Sequence, residues 1–151
     1  MSRVQLALNV GDLEVAIEHY SKLFGVMPNK VKDGYANFVV TEPPLKLVLI
    51  ANPDQPGTLN HLGVEVATAE EVQLAIRHAT DVGLPVTVEE STTCCFAVQD
   101  KVWVGGGELP WEFYTVLEDA DVMHLSEKEC CMPVSVPAGV MHSAKPSTSC
   151  C

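Results

Sequence analysis

Two sets of side chains in this sequence could do chemistry together. Cysteines come as adjacent pairs, Cys94-Cys95, Cys130-Cys131 and Cys150-Cys151. A disulfide between neighbours strains the intervening peptide and closes almost no loop, so such pairs are poor cross-links. Two reduced thiols side by side are instead a soft ligand set suited to trivalent arsenic, cadmium or zinc, and the thiolate is the binding form. The second set is Gln5, His61 and Glu112. One carboxamide, one imidazole and one carboxylate, with positions left open, suit a divalent ion that must also hold water, dioxygen or substrate, as in facial-triad iron sites.

Each set has an ordinary alternative. A lone His at a strand start is more often a surface or hydrogen-bonded residue. Glu112, inside the apolar run from Trp111 to Phe113, needs a cation or a donor that Lys46 or Lys101 could supply. Alternation along a strand turns Cys94 and Cys95 to opposite faces, so both reach one ion only at a bulge, a strand end or a loop. His19 and His78 fall among exposed helix positions. His124 and His142, with the later cysteines, would form a loose soft-metal trap whose spacing matches no structural zinc module. Gly105-Gly106-Gly107 precedes Glu108-Leu109-Pro110 and no helix start, so it reads as a turn and not as a phosphate cradle.

The elements that must position these groups follow from the apolar pattern. Val4, Leu6, Leu8 and Val10 alternate with Arg3, Gln5, Ala7 and Asn9, which predicts a half-buried strand with Gln5 on the face opposite the apolar set. Asp12 is a candidate N-cap for a helix carrying Leu13, Ala16, Ile17, Tyr20, Leu23 and Phe24, stopped by Gly25. Short strand-like runs follow at 26–32, 35–41 and 45–51. The order then begins again, with a strand over 61–66, a capping box from Thr68 and Glu71, and a second helix to Gly83. Strands at 86–90, 94–99 and 111–116 complete it, with 101–104 extending the middle one.

Gln5 and His61 stand 56 residues apart, and the same offset places Asp12 on Thr68 and Val10 on Val66. The chain is therefore predicted to be α+β, a duplicated βαβββ unit (about 3–52 and 59–117) within a domain spanning 1–118. Residues at equivalent positions would face each other across a curved mixed sheet, and the fourth equivalent position falls at Lys46 or Leu47. Residues 119–151, with Pro133, Pro137, Pro146 and two cysteine pairs, read as a mobile tail.

Composition agrees with one soluble domain. In 151 residues the hydrophobic share is 47%, and 20 acidic residues against 9 Lys and Arg give a formal charge of −11. That charge argues against nucleic acid or an anionic membrane as partner. No apolar run approaches the roughly 20 residues of a membrane span, and no leader pattern opens the chain, so a cytoplasmic protein is expected.

The sequence resembles the vicinal oxygen chelate superfamily (glyoxalase, bleomycin-resistance and dioxygenase proteins), and within it the organoarsenical carbon-arsenic lyases and the cadmium-induced proteins. The resemblance rests on the paired βαβββ plan and on Tyr35 to Phe38, Pro43 to Leu49, Leu59 to Glu65, Thr93 to Val104 and Trp111 to Tyr114, covering residues 3 to 118. It implies an iron(II)-dependent, dioxygen-consuming enzyme that cleaves the carbon-arsenic bond of trivalent methyl or aryl arsenicals and releases arsenite. Gln5, His61 and Glu112 match the family's metal ligands, and Cys94 with Cys95 match its arsenic-binding pair. Cys130, Cys131, Cys150 and Cys151 would be accessory thiols that capture substrate or product. The rival is a cadmium- or arsenic-binding protein without turnover. A drug-resistance or isomerase member would share the fold but has no reason to contain the thiol pair. Either a monomer or a homodimer could build the sheet, within one chain or by exchanging units.

Overall fold

The computed structural model describes residues 1–123. Its elements run β1 (Arg3–Val10), α1 (Leu13–Phe24), β2 (Lys30–Lys32), β3 (Tyr35–Val40), β4 (Leu45–Ala51), β5 (Thr58–Glu65), α2 (Ala69–Asp81), β6 (Val86–Cys94), β7 (Ala97–Val104) and β8 (Trp111–Asp119). This is βαβββ twice. The strands join one eight-stranded mixed sheet in the order β2-β3-β4-β1-β5-β8-β7-β6, with β1 and β5 antiparallel at the centre. The first units of a strand–helix–strand crossover, β1 with β4 and β5 with β8, pair in parallel, as such connections require.

The helices start and stop where side chains satisfy their free backbone groups. The Asp12 carboxylate accepts from the Val15 N–H at 3.0 Å, and Gly25 closes α1 in the left-handed region at φ 66°. Thr68 and Glu71 form the full capping box of α2. Apolar residues of α1, among them Ile17, Tyr20 and Phe24, cover Phe38, Leu47 and Leu49 on the outer face of the sheet.

The inner face has its own core of Ala7, Tyr35, Val48, Ile50, Cys94 and Phe96. Strand β4 is thus buried on both faces from Leu47 to Ile50, which explains its continuous apolar run there. The sheet curls enough to bring distant strands together. Lys30 on edge strand β2 donates to the Phe96 carbonyl at 3.0 Å and also bonds Asp119 at the end of β8.

Three expectations change. The run 26–32 yields only the short β2, because residues before Lys30 make too few ladder bonds. The predicted strand over 94–99 is a hairpin: Cys94 ends β6, Cys95 and Phe96 form the two-residue turn, and Ala97 begins β7. Strand β1 is covered on both faces and not half-buried: Leu6, Leu8 and Val10 pack into the outer core as expected, and the polar face is enclosed too. Gln5, Ala7 and Asn9 are 5%, 0% and 3% exposed, whereas Val4 is 43% exposed, because the curled sheet encloses the polar side.

Residues assigned to a tail begin within ordered structure. Asp119 pairs with Ala97, the Ala120 N–H donates to Phe96, and Met123 rests on the inner core. His124, Cys130, Cys131, His142, Cys150 and Cys151 lie outside the described residues. No helix among the described residues is long and apolar enough to cross a membrane.

Candidate functional site

Strand register brings Gln5, His61 and Glu112 together. On β1 and β5, Gln5 pairs with Gly63 and Ala7 with His61. An offset of 56 residues turns the first pair into the second, so Gln5 and His61 are related by the approximate twofold of the duplicated unit. Gly63 in turn pairs with Glu112 on β8, and its counterpart Ala7 pairs with Val48 on β4. The fourth equivalent position is therefore Val48, not Lys46 or Leu47. It is apolar, so the site has three polar donors and one blank side.

The three side chains touch. Gln5 Nε2 lies 3.1 Å from His61 Nε2 and 3.3 Å from Glu112 Oε2, and the latter two atoms are 3.4 Å apart. All three residues are buried. Gly63 sits between them: a Cβ there would lie 3.1 Å from the Glu112 carbonyl and 3.5 Å from both Gln5 Nε2 and the Glu112 Cβ. Glycine thus keeps open the space where the three side chains converge. Among the described residues no cluster of three His, Cys, Asp or Glu exists that could hold a metal, so a cation here needs the carboxamide as its third ligand.

Neighbouring side chains hold each group in place. His61 Nδ1 meets Asn60 Oδ1 at 2.8 Å, Asn60 donates to Asn9, and Asn9 donates to Thr58. Because the Asn60 and Asn9 amides are committed in this direction, the imidazole proton sits on Nδ1 and Nε2 presents its lone pair to the site. Lys101, 1% exposed, places Nζ 3.3 Å from Glu112 Oε1. Burial pushes the Glu112 carboxyl up, but the Lys101 ammonium beside it holds it below the ordinary carboxylate range. Glu65 is pushed up by burial and pulled down further by Lys46 at 2.7 Å and Arg3 at 2.9 Å. Lys46 therefore serves Glu65, and Lys101 is the cation at Glu112. Tyr114 reaches both Gln5 and Glu65 with its hydroxyl.

Cys95 lines the same cavity, of about 470 Å³, as Gln5, His61, Glu112 and Tyr114, while Cys94 is buried behind it. Cys94 Sγ and Cys95 Sγ stand 3.1 Å apart, and both residues are reduced. The hairpin makes this possible. Cys95 and Phe96 have φ of 56° and 61°, the left-handed values of a type I′ turn that Asn-Gly would fill at little cost. A strand would have turned the two sulfurs apart. Phe96 is held against Tyr35, ring centroids 5.5 Å apart, and Tyr35 is kept protonated by burial and by the neighbouring Cys95.

Glu65, Tyr114 and Asn60 escaped the sequence reading, whereas Lys101 was one of the two cations it offered for Glu112. The signal for two of them was available: on a strand, residues two apart share a face, so His61 implies Glu65 two steps on and Glu112 implies Tyr114.

A profile of the glyoxalase/bleomycin resistance protein/dioxygenase superfamily matches residues 3–103. The chain belongs to this superfamily. It is 60% identical over 122 residues to the cadmium-induced protein CadI of Mycobacterium tuberculosis, covering 80% of each chain. It is 54% identical over 136 residues to a trivalent organoarsenical cleaving enzyme of Thermomonospora curvata, covering 88% of this chain and 90% of that one. Among solved structures it is similar in fold to an extradiol ring-cleaving dioxygenase from B. fuscum, with TM-score 0.55 and 19% identity over 82% of this chain and 34% of that one. The expected vicinal oxygen chelate fold is the one observed.

His19 and His78 are exposed on their helices, as expected. Gly105 to Gly107 lie in the loop between β7 and β8 and cap no helix.

Proposed function

We propose that this superfamily member is an iron(II)- and dioxygen-dependent enzyme that cleaves the carbon-arsenic bond of trivalent organoarsenicals and releases arsenite. The observation that carries the reading is that Cys95, with the Cys94 sulfur 3.1 Å from its own, lines the same cavity as the Gln-His-Glu triad. The 54% identical relative bears the name of that activity.

The donor set fits a divalent ion. His61 presents a lone pair, Glu112 is ionised, Gly63 leaves the space, and Val48 adds no fourth protein ligand, so coordination positions stay open for small molecules. Iron(II) held by Gln5, His61 and Glu112 would supply redox chemistry toward dioxygen. Everything else is done by the chain. Cys94 and Cys95, as thiolates, bind the arsenic and leave its organic substituent pointing into the cavity, converting an encounter of three partners into a positioned one. Tyr35 and Phe96 wall the thiol end against water. Atoms balance without an external reductant: methylarsonous acid plus one dioxygen contains the atoms of formaldehyde plus arsenous acid. Arsenic stays trivalent, carbon is oxidised and dioxygen is reduced.

All groups of the site come from one chain, so a monomer suffices and no exchange of units is required. Reduced vicinal thiols suit a cytosolic location. The later cysteine pairs would capture substrate or product. A second reading, sequestration of cadmium or arsenic without turnover, is favoured by the 60% identity to CadI.

The deciding experiment is arsenic speciation after anaerobically iron-loaded protein meets a trivalent methyl or phenyl arsenical and oxygen is then admitted. Arsenite that forms only with both iron and oxygen is the expected result. Unchanged arsenical recovered on the protein would establish sequestration instead.

A further inference from the structure

Gln5 is turned the wrong way to be a ligand. Its Nε2, which carries two protons and no lone pair to give, faces His61 Nε2 and Glu112 Oε2, while Oε1 accepts from the Tyr114 hydroxyl. In this orientation the carboxamide protons fill the gap between two acceptors, standing where a cation would stand. Ligation requires Oε1 in that place.

Tyr114 has the means to permit the turn. Its hydroxyl has one proton and two acceptors in reach, Gln5 Oε1 and Glu65 Oε2, the latter at 3.0 Å. Glu65 does not depend on that proton, since Lys46 and Arg3 already hold it at 2.7 and 2.9 Å. If the carboxamide rotates by half a turn, Nε2 comes to Tyr114 and the hydroxyl oxygen accepts from it. The tyrosine proton then passes to Glu65 Oε2. The Tyr114 proton has an acceptor in both arrangements, Gln5 Oε1 in one and Glu65 Oε2 in the other.

We infer that Tyr114 and Glu65 form a reversible hydrogen-bond relay that lets the Gln5 carboxamide flip from a closed, metal-free orientation to one with its carbonyl aimed at the cation. This rests on the metal-site reading above. Tyr114 is a positioning residue, acting through Gln5. The flipped arrangement uses two hydrogen bonds through the hydroxyl, one of them to a carboxylate, whereas the metal-free arrangement uses one. Loss of the hydroxyl therefore penalises the metal-bound state more.

The test measures Co(II) affinity by competition with a chromophoric chelator in four proteins: wild type, Tyr114→Phe, Gln5→Glu, and the double variant. Tyr114→Phe is expected to weaken binding by about 10- to 100-fold, the range for outer groups that orient metal ligands. In the Gln5→Glu background the same change should cost less than about threefold, because a carboxylate has no wrong end to present. A tyrosine with a purely structural role would cost the same in both backgrounds, and that result overturns the relay, as does an unchanged affinity in Tyr114→Phe. Wild type that binds no Co(II) would remove the metal site itself and the relay with it, an outcome distinct from the other two. If Tyr114→Phe does not fold, Zn(II)-loaded wild type gives the answer by NMR. The Gln5 side-chain amide protons, assigned by their absence in Gln5→Glu, should shift on loading and show contact with the Tyr114 hydroxyl proton. Resonances unmoved at saturation would overturn the inference.

Discussion

Gln5 and His61 occupy the same position in the two halves of a duplicated unit, and their side chains meet at 3.1 Å across the seam where the halves join. Duplication has put two different polar groups at one place. The paired ladder Gln5 to Gly63 and Ala7 to His61 leaves small residues opposite each of them, so both side chains have room on the enclosed face. The site is a property of the seam and not of either half.

Metal and thiol functions should separate by mutation. His61→Ala removes the imidazole from the triad and is expected to abolish turnover while arsenical binding changes little. Cys94→Ser should do the reverse, weakening arsenical binding at least tenfold with iron retained. Metal content, turnover and arsenical binding measured on both variants check this, and a joint loss in either would show that the two sites are one.

Lys101 is the cation that keeps Glu112 ionised in the interior. Lys101→Met should destabilise the metal-free protein by about 3–5 kcal/mol, because a buried carboxylate is left without its charge partner. Saturating divalent metal should return part of that loss by supplying a new positive charge. Denaturant midpoints with and without Co(II) measure both effects.

The turn that holds Cys95 is expensive. A non-glycine residue at φ 56° costs on the order of 1 kcal/mol, and Asn tolerates that region best among side-chain-bearing residues. Cys95→Asn should therefore leave stability unchanged or raise it by up to about 1 kcal/mol while arsenical binding is lost. Stability lost by more than this amount in urea unfolding would mean that the cysteine is kept for the fold.

Acid should weaken the metal-free protein in a defined window. Glu65 and Glu112 both have carboxyls held below the ordinary value of 4.5. The unfolded chain then binds these protons more readily, so their stabilisation is complete above 4.5 and is lost as the pH falls from there through their lowered folded values. Glu89 runs the other way: burial raises its carboxyl, so it favours the folded state in acid and loses that contribution as the pH rises through its raised value. Glu18, Glu70 and Asp119 are lowered as well, so urea midpoints should fall below about pH 4.5, and Glu65→Gln should flatten that fall.

The sequence by itself determined the repeat and most of its punctuation. The offset of 56 residues, the Asp12 cap, the Thr68-Glu71 capping box and Gly25 are local signals, readable because helix ends are satisfied by residues a few positions away. The same offset made Gln5 and His61 partners before any fold was known. What the period of two in β1 could not say is that its polar face is enclosed as well as its apolar one. That is decided by the curl of the whole sheet, which buries Gln5 and Asn9 and leaves Val4 half in solvent. Register is equally non-local: only the ladder puts Val48, and not Lys46, opposite the triad, and only a two-residue turn brings the Cys94 and Cys95 sulfurs to one side. Tyr114, Glu65 and Lys101 come from separate strands. Their roles follow from the ladder, which sets Glu65 and Lys101 on either side of Tyr114, a relationship that exists only once the strands are in register.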